Sequence, residues 1–268
     1  MAWLTTGVVL LGIGLVLFFV QRSQRARSLG IRSARAATIA ELSHMADEIA
    51  AEIGRGNWRE YVILRGTITC DRPLMSELKQ EPCVYYTMTV RRDYEETVVR
   101  NDSDGRSHRE VQRGSEMVAS NKRSIPFQLQ DATGTITVNP EGANIDSVSI
   151  LNDFRPEQAS SQSVVYGNFS ITVNRPMSQG DRYTLGYRYS EAVLPVGRTV
   201  FVLAELSDEF GERMLQKPTQ ANQPFLISLK APTELATDAD RAASRAYYAM
   251  LVCLVAGLAL VIVSLVVR

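Results

Sequence analysis

Ser76-Glu-Leu-Lys79 places a lysine three residues after a serine, the spacing at which some acylating enzymes set an amine beside a nucleophilic hydroxyl. The companion motifs of such enzymes are missing from the chain, so a solvated turn is the stronger reading and a membrane hydrolase using Ser76 and Lys79 the weaker one. Asp102-Ser-Asp104-Gly105 echoes the start of a calcium loop, but the later bidentate glutamate is out of register and Asp-Gly favours a hairpin tip. Two histidines, His44 and His108, and three cysteines, Cys70, Cys83 and Cys253, offer no metal spacing. No glycine-rich phosphate loop is present. No metal and no cofactor are expected, and no catalytic residue is assigned. The polar and aromatic residues that stand out are Pro126, Phe127, Asp131, Gly134, Tyr187 and Glu191. At strand ends they serve turns and core packing. Their sharper reading is a ligand- or partner-binding cleft, with Tyr187 and Glu191 supplying a hydrogen-bonding pair.

Two apolar stretches bracket these residues. Ala2 to Val20 and Tyr247 to Val267 carry no charge and are each long enough to cross a bilayer, which takes about 20 residues at 1.5 Å rise. In hydrocarbon each must be a helix, because every backbone polar group needs an internal partner. The first stretch lacks the leading positive charge and small-residue cleavage site of a signal peptide, so it is expected to be retained. Arg22, Arg25, Arg27, Arg32 and Arg35 follow it, and Arg241 and Arg245 precede the second. By the positive-inside rule the central segment faces the cytoplasmic side and both termini lie opposite. The same arginines read as a contact for anionic headgroups.

Between the spans the periodicity changes twice. Over 33–54, Ile39, Leu42, Met45, Ile49 and Ile53 recur every three or four residues, which predicts a juxtamembrane amphipathic helix ended by Gly54 and Gly56. From Trp58 the period becomes two. Strands are predicted at Tyr61–Cys70, Pro82–Arg91, Ser124–Gln130, Gly134–Asn139, Ser147–Leu151, Tyr183–Glu191, Thr199–Glu205, Phe210–Leu215 and Pro224–Leu229. Asp93–Glu116 and Asn152–Ser163 read as polar connections. Thr233–Tyr248 returns to helix and runs into the second span. The chain is therefore expected to hold a mainly β domain over 58–232, barrel- or sandwich-like and α+β overall, between two transmembrane helices.

Composition narrows the function classes. Lysine plus arginine total 29 and aspartate plus glutamate 29, a formal charge of zero that gives no basic face for nucleic acid. The expected partners are the lipid bilayer and a protein at its surface, with the oligomeric state left open. Neither span carries an evident pair of small residues at four-residue spacing, the simple dimer signature.

The order of short motifs is familiar. A first span is followed by a strand with Gly66, then Pro73-Leu-Met-Ser76, Pro82-Cys-Val-Tyr85, Ser124-Ile-Pro-Phe127, Asp131-Ala-Thr-Gly134, Val138-Asn-Pro140, Tyr187-Arg-Tyr-Ser-Glu191, Gly197 and a second span. This arrangement resembles the GIDE, or BAM ("beside a membrane"), domain of the MULAN/MAPL family of membrane-anchored E3 ubiquitin ligases. The resemblance implies a β-rich domain held beside a bilayer and, from the family name, ubiquitin transfer. Those ligases carry a RING finger after the second span, and a RING needs eight Cys/His ligands for two zinc ions. Only two cysteines lie outside the spans in these 268 residues. The expectation is a short form without the RING, acting as a non-catalytic recognition module. In mitochondrial relatives the domain lies away from the cytosol, opposite to the side the arginines indicate.

Overall fold

The computed structural model describes residues 2–54, 58–101, 107–156, 163–167, 169–172, 182–208 and 212–266. Two long helices, α1 (Ala2–Ser33) and α3 (Pro232–Val266), flank a β-rich body. Both outrun the apolar stretches predicted from sequence. The extra turns, Gln21–Ser33 and Pro232–Ala246, form a polar stalk beyond the apolar edge.

The helices pair antiparallel along one seam. The seam runs on α1 through Gly7, Leu10, Gly14, Leu17, Gln21, Gln24, Ser28 and Ile31 and on α3 through Ala236, Ala239, Ala243, Ala246, Met250, Cys253, Gly257, Leu260 and Ser264, each of them covered or half-covered. Both series alternate steps of three and four, the 3.5-residue repeat of a left-handed coiled coil. Small residues dominate the seam, so the backbones approach closely. A Cβ built on Gly7 would lie 3.0 Å from the Gly257 carbonyl oxygen, and one on Gly14 would lie 2.9 Å from Leu254 Cδ2. The Arg32–Asp240 ion pair, 2.7 Å, closes the stalk. Val9, Val16, Phe19, Val252, Val255 and Leu258 point outward and remain exposed.

The body is built on a closed ring of five strands. β2 (Arg59–Thr69) pairs with β6 (Phe127–Gln130), β6 with β7 (Thr135–Val138), β7 with β14 (Met214–Gln216), β14 with β13 (Thr199–Ser207), and β13 returns to β2. All neighbours are antiparallel except β7 and β14. Taken in chain order, that is the connectivity of a small Greek-key barrel of OB type. Its interior holds Val62, Leu64, Ile68, Leu129, Ile136, Val138, Val200, Val202, Leu206 and Leu215. β1 (Arg35–Ala36) and β15 (Leu226–Ser228) extend the barrel wall, with β8 (Asn144–Ile145) beyond β15.

A second sheet grows from two insertions into the ring. One, between β2 and β6, supplies β3 (Leu74–Met75), β4 (Pro82–Asn101) and β5 (Ser107–Ser124). The other, between β7 and β13, supplies β9 (Val148–Pro156) and β12 (Arg182–Pro195). β4 and β12 pair over almost the whole length of β12 and bind the two insertions together. β5 and β9 form the edges, and β3 pairs only with the start of β4. A hairpin of β10 (Ser163–Tyr166) and β11 (Phe169–Thr172) covers part of its inner face through Tyr166 and Phe169. The turn predicted at Leu194–Gly197 connects the sheet to the barrel, with Gly197 at φ 80°.

Several expectations need correction. The helix read over 33–54 is α2 (Ile39–Ile53), because α1 runs to Ser33 and β1 intervenes. The polar stretch 93–116 is mostly strand: β4 and β5 pair from Tyr85↔Ser124 to Asn101↔Ser107. Charge misled there because one face of the ribbon is solvated along its length. The expected tip at Asp102–Gly105 lies outside the described residues. Likewise β9 continues through Pro156, into a stretch read as connection, and the β10–β11 hairpin had no counterpart in the strand reading.

Candidate functional site

The serine–lysine reading fails on geometry. The Pro73–Lys79 segment folds over the inner face of the second sheet and buries Ser76 completely. Ser76 Oγ donates to Glu191 Oε2 at 3.0 Å and accepts the Glu81 N–H at 3.0 Å. Lys79 is exposed; its backbone N–H, not its amine, points inward, reaching Glu191 Oε2 at 2.9 Å. The Leu78 N–H takes Glu191 Oε1 at 2.8 Å. Two residues that stood apart in the sequence, one as a nucleophile and one as a ligand contact, thus form a single clasp. Glu191 is 1% exposed, and a carboxylate is stable at such a depth only when its lone pairs are filled. Three donors from one turn fill them, tying the first insertion to β12. Next to it Cys83 is buried; that burial, reinforced by the Glu191 charge, pushes its thiol up to about 11.

Tyr187 does not join Glu191. The two share a face of β12, but four residues of strand separate their Cα atoms by about 13 Å. Tyr187 instead stands in a cross-strand row with Arg92 of β4 and Arg155 of β9. Along this face arginines lie over tyrosine rings: Arg155 over Tyr166 at 4.0 Å and Arg182 over Tyr94 at 4.6 Å. Each is paired with a carboxylate, Arg155 with Asp153 and Arg182 with Glu96, and Arg92 is paired with Glu116 at 2.8 Å. Sequence reasoning missed this ladder, since its members come from three strands and a separate hairpin.

Asp131 and Gly134 serve α2. Asp131 Oδ2 accepts the Ile39 N–H and Thr133 Oγ1 accepts the Ala40 N–H, both at 3.0 Å. Thr38 and Glu41 complete a capping box. The four donors that a helix start leaves open are therefore all satisfied. Asp131 Oδ1 meanwhile holds its own turn through Thr133 and Gly134. Burial acts to raise the Asp131 pKa, but these hydrogen bonds outweigh it and hold the carboxyl below its ordinary value. Gly134 leaves room for Ile39, whose Cγ2 would lie 3.2 Å from an added Cβ. Ile39 and Leu42 then join the barrel core. Phe127 belongs to that core too, while Pro126 is exposed ahead of β6.

The polar residues singled out by sequence are thus largely engaged inside the molecule. The open surface lies on the outer face of the second sheet. Cross-strand registers place Met117, Arg91, Arg188 and Phe154 in one row, and Arg113, Glu95 and Tyr183 in another. Val111 and Val99 continue the face along the β4–β5 ribbon. Tyr183 is 68% exposed, and Met117 and Val111 are each 61% exposed. Asp93 and Glu95 are spoken for by Arg188 and Arg113. Among the described residues, no three His, Cys, Asp or Glu side chains gather as a metal ion would require.

The sequence model of the GIDE family, described as E3 ubiquitin ligase, matches residues 95–263, more than half of the chain. The match begins near the end of β4 and takes in β5, β9 and β12 of the second sheet, the barrel strands β6, β7, β13 and β14, and most of α3. The chain belongs to the GIDE family. No curated protein and no solved structure matches it. In this GIDE protein the family region includes both edges of the outer sheet face and most of α3, one of the two helices among the described residues that are long and apolar enough to cross a membrane.

Proposed function

We propose that this GIDE protein is a two-span membrane protein whose β body is a non-catalytic docking module held beside the bilayer. The observation that carries the reading is the outer sheet face. Exposed Tyr183, Met117, Val111, Val99 and Phe154 stand among arginines on one face of the sheet, and exposed large apolar side chains gathered on one face and rimmed by polar residues mark interaction surfaces. Tyrosine and arginine are also the residue types that dominate binding energy at such surfaces. The arginine count, Arg91, Arg109, Arg113 and Arg188 against Asp93 and Glu95, favours a protein partner with acidic and apolar residues. The flanking arginines support a cytoplasmic location for the body, with both termini across the membrane.

The test is site-specific photo-crosslinking in native membranes. A crosslinking side chain at Met117 or Val111 is expected to capture a discrete protein, and one at Glu234 on the stalk is not. No adduct from any outer-face position would remove the proposal.

The family description supports a second reading, ubiquitin transfer. It requires zinc in the purified protein and discharge of ubiquitin from a charged conjugating enzyme, and absence of both would end it. A hydrolase using Ser76 has little support, given the buried hydroxyl. A serine-directed acylating probe should label wild type and Ser76→Ala equally.

A further inference from the structure

Seven arginines flank the apolar spans on the side of the β body, and the fold sorts them. Arg32 is taken by Asp240, and Arg241 lies 3.8 Å from Asp238, which also holds Lys230. Arg35 has left the stalk for β1, where its guanidinium meets the Met45 sulfur. Arg27 is half-buried in the notch between stalk and barrel, beside Lys230, Asp146 and Asp238. Arg22, Arg25 and Arg245 remain: all three are exposed and form no ion pair among the described residues. Asp240 also feels the charge of Arg25 and Asp238 that of Arg245, but Asp240 is bound to Arg32 and Asp238 to Lys230.

The antiparallel register brings these three to one level. Gly14 lies against Leu254 and Arg32 against Asp240, so Phe19 and Val20 come about level with Tyr247 and Tyr248. Trp3 stands near the other end of α1, also exposed. Aromatic residues at both edges of an apolar slab mark its interfaces with water. Arg22 and Arg245 are each two residues past that edge, about 3 Å along a helix, and Arg25 is about 8 Å past it. The headgroup layer on each side of a bilayer is about 5–8 Å thick. All three guanidiniums therefore sit at phosphate depth, around the hairpin rather than in one cleft.

We infer that Arg22, Arg25 and Arg245 form a collar that gathers anionic phospholipids around the helical hairpin. The collar needs both helices: α1 supplies two members and α3 the third, and the pairing at Gly7, Gly14 and Gly257 sets their common height. This inference rests on the two-span reading. Annular lipid, not a single seated headgroup, is the occupant, because the three cations are exposed on two helices and line no common cleft.

The experiment uses the full chain in vesicles of phosphatidylcholine with a minor fraction of spin-labelled phosphatidylglycerol or spin-labelled phosphatidylcholine. Wild type is expected to enrich the anionic probe several-fold over the zwitterionic one in its motionally restricted shell. The enrichment should fall towards one in Arg22→Gln/Arg25→Gln/Arg245→Gln, and also in wild type at 1 M salt, where screening shortens to about 3 Å. A control, Arg109→Gln/Arg113→Gln on β5, should leave it unchanged. Equal association of both probes with wild type, a preference that survives the triple change in a variant that still floats with vesicles, or one that survives high salt, would overturn the collar. The salt arm keeps the test valid if the triple variant misfolds. Failure of wild type to float with vesicles at all would instead refute the two-span reading.

Discussion

Glu191 shows how one side chain can carry structure rather than chemistry. Its carboxylate collects three donors from a single turn, and removing charge from it leaves buried donors poorly served. Glu191→Gln is expected to cost about 2–3 kcal/mol, read as a loss of thermal or denaturant stability in detergent. Cys83 gives a sharper reading of the same region. With no exposure and its thiol held near 11, it should resist alkylation at neutral pH in the folded protein and react once the protein is unfolded, whereas half-exposed Cys70 labels early. Asp131 titrates with a definite sign. Its folded pKa lies below the ordinary 3.8, so its contribution is complete above that value and is lost as pH falls through the folded one. Asp131→Asn should remove about 1–2 kcal/mol at neutral pH and leave the variant less sensitive to acid over that window; an unchanged acid transition would show that the α2 cap is not held by this charge.

The helical hairpin is the element that decides the height of everything else. Its seam is readable in hindsight as small residues every three or four positions, but only when both helices are laid together. Gly14 and Cys253 supply a direct check. A Cβ at position 14 would lie 3.8 Å from Cys253 Cβ, the mean separation in a disulfide. Gly14→Cys should therefore crosslink to Cys253 on mild oxidation, seen as a shift in gel mobility reversed by reductant. Failure to crosslink would mean that the spans do not pair in this register. The barrel offers a second lesson at this scale. α2 is drawn onto it by Asp131 and Thr133, so residues that read as a cleft are the receiving end of a helix.

At the scale of the whole molecule, the stalk and the body act as one piece. Ile31 of α1 and Ala236 of α3 pack with Tyr61, Ile63, Leu203 and Leu226 on the barrel wall, and Gly30 lets α1 close on the chain at Asn222 and Pro224. An added Cβ at Gly30 would lie 2.5 Å from Pro224 Cδ and 2.6 Å from the Asn222 carbonyl oxygen. Gly30→Leu should pry the barrel from the stalk and expose Gln21–Ser33 to limited proteolysis, while the barrel keeps its own melting transition. A body fixed this way holds its outer sheet face at a set distance from the apolar stretches of the two helices.

Hydropathy and periodicity, being local, were enough to show two helices long and apolar enough to cross a membrane, a mainly β body between them and the positions of most strands, because length without charge and alternation of side chains are written in consecutive residues. The order of motifs was enough to place the chain in its family. Closure of the barrel through β13, the growth of the second sheet from two insertions, and the meeting of Ser76 with Glu191 across 115 positions were settled only by the tertiary structure. So was the fate of the charges: which arginines are neutralised, and which are left exposed, depends on carboxylates from distant segments that no local pattern brings together.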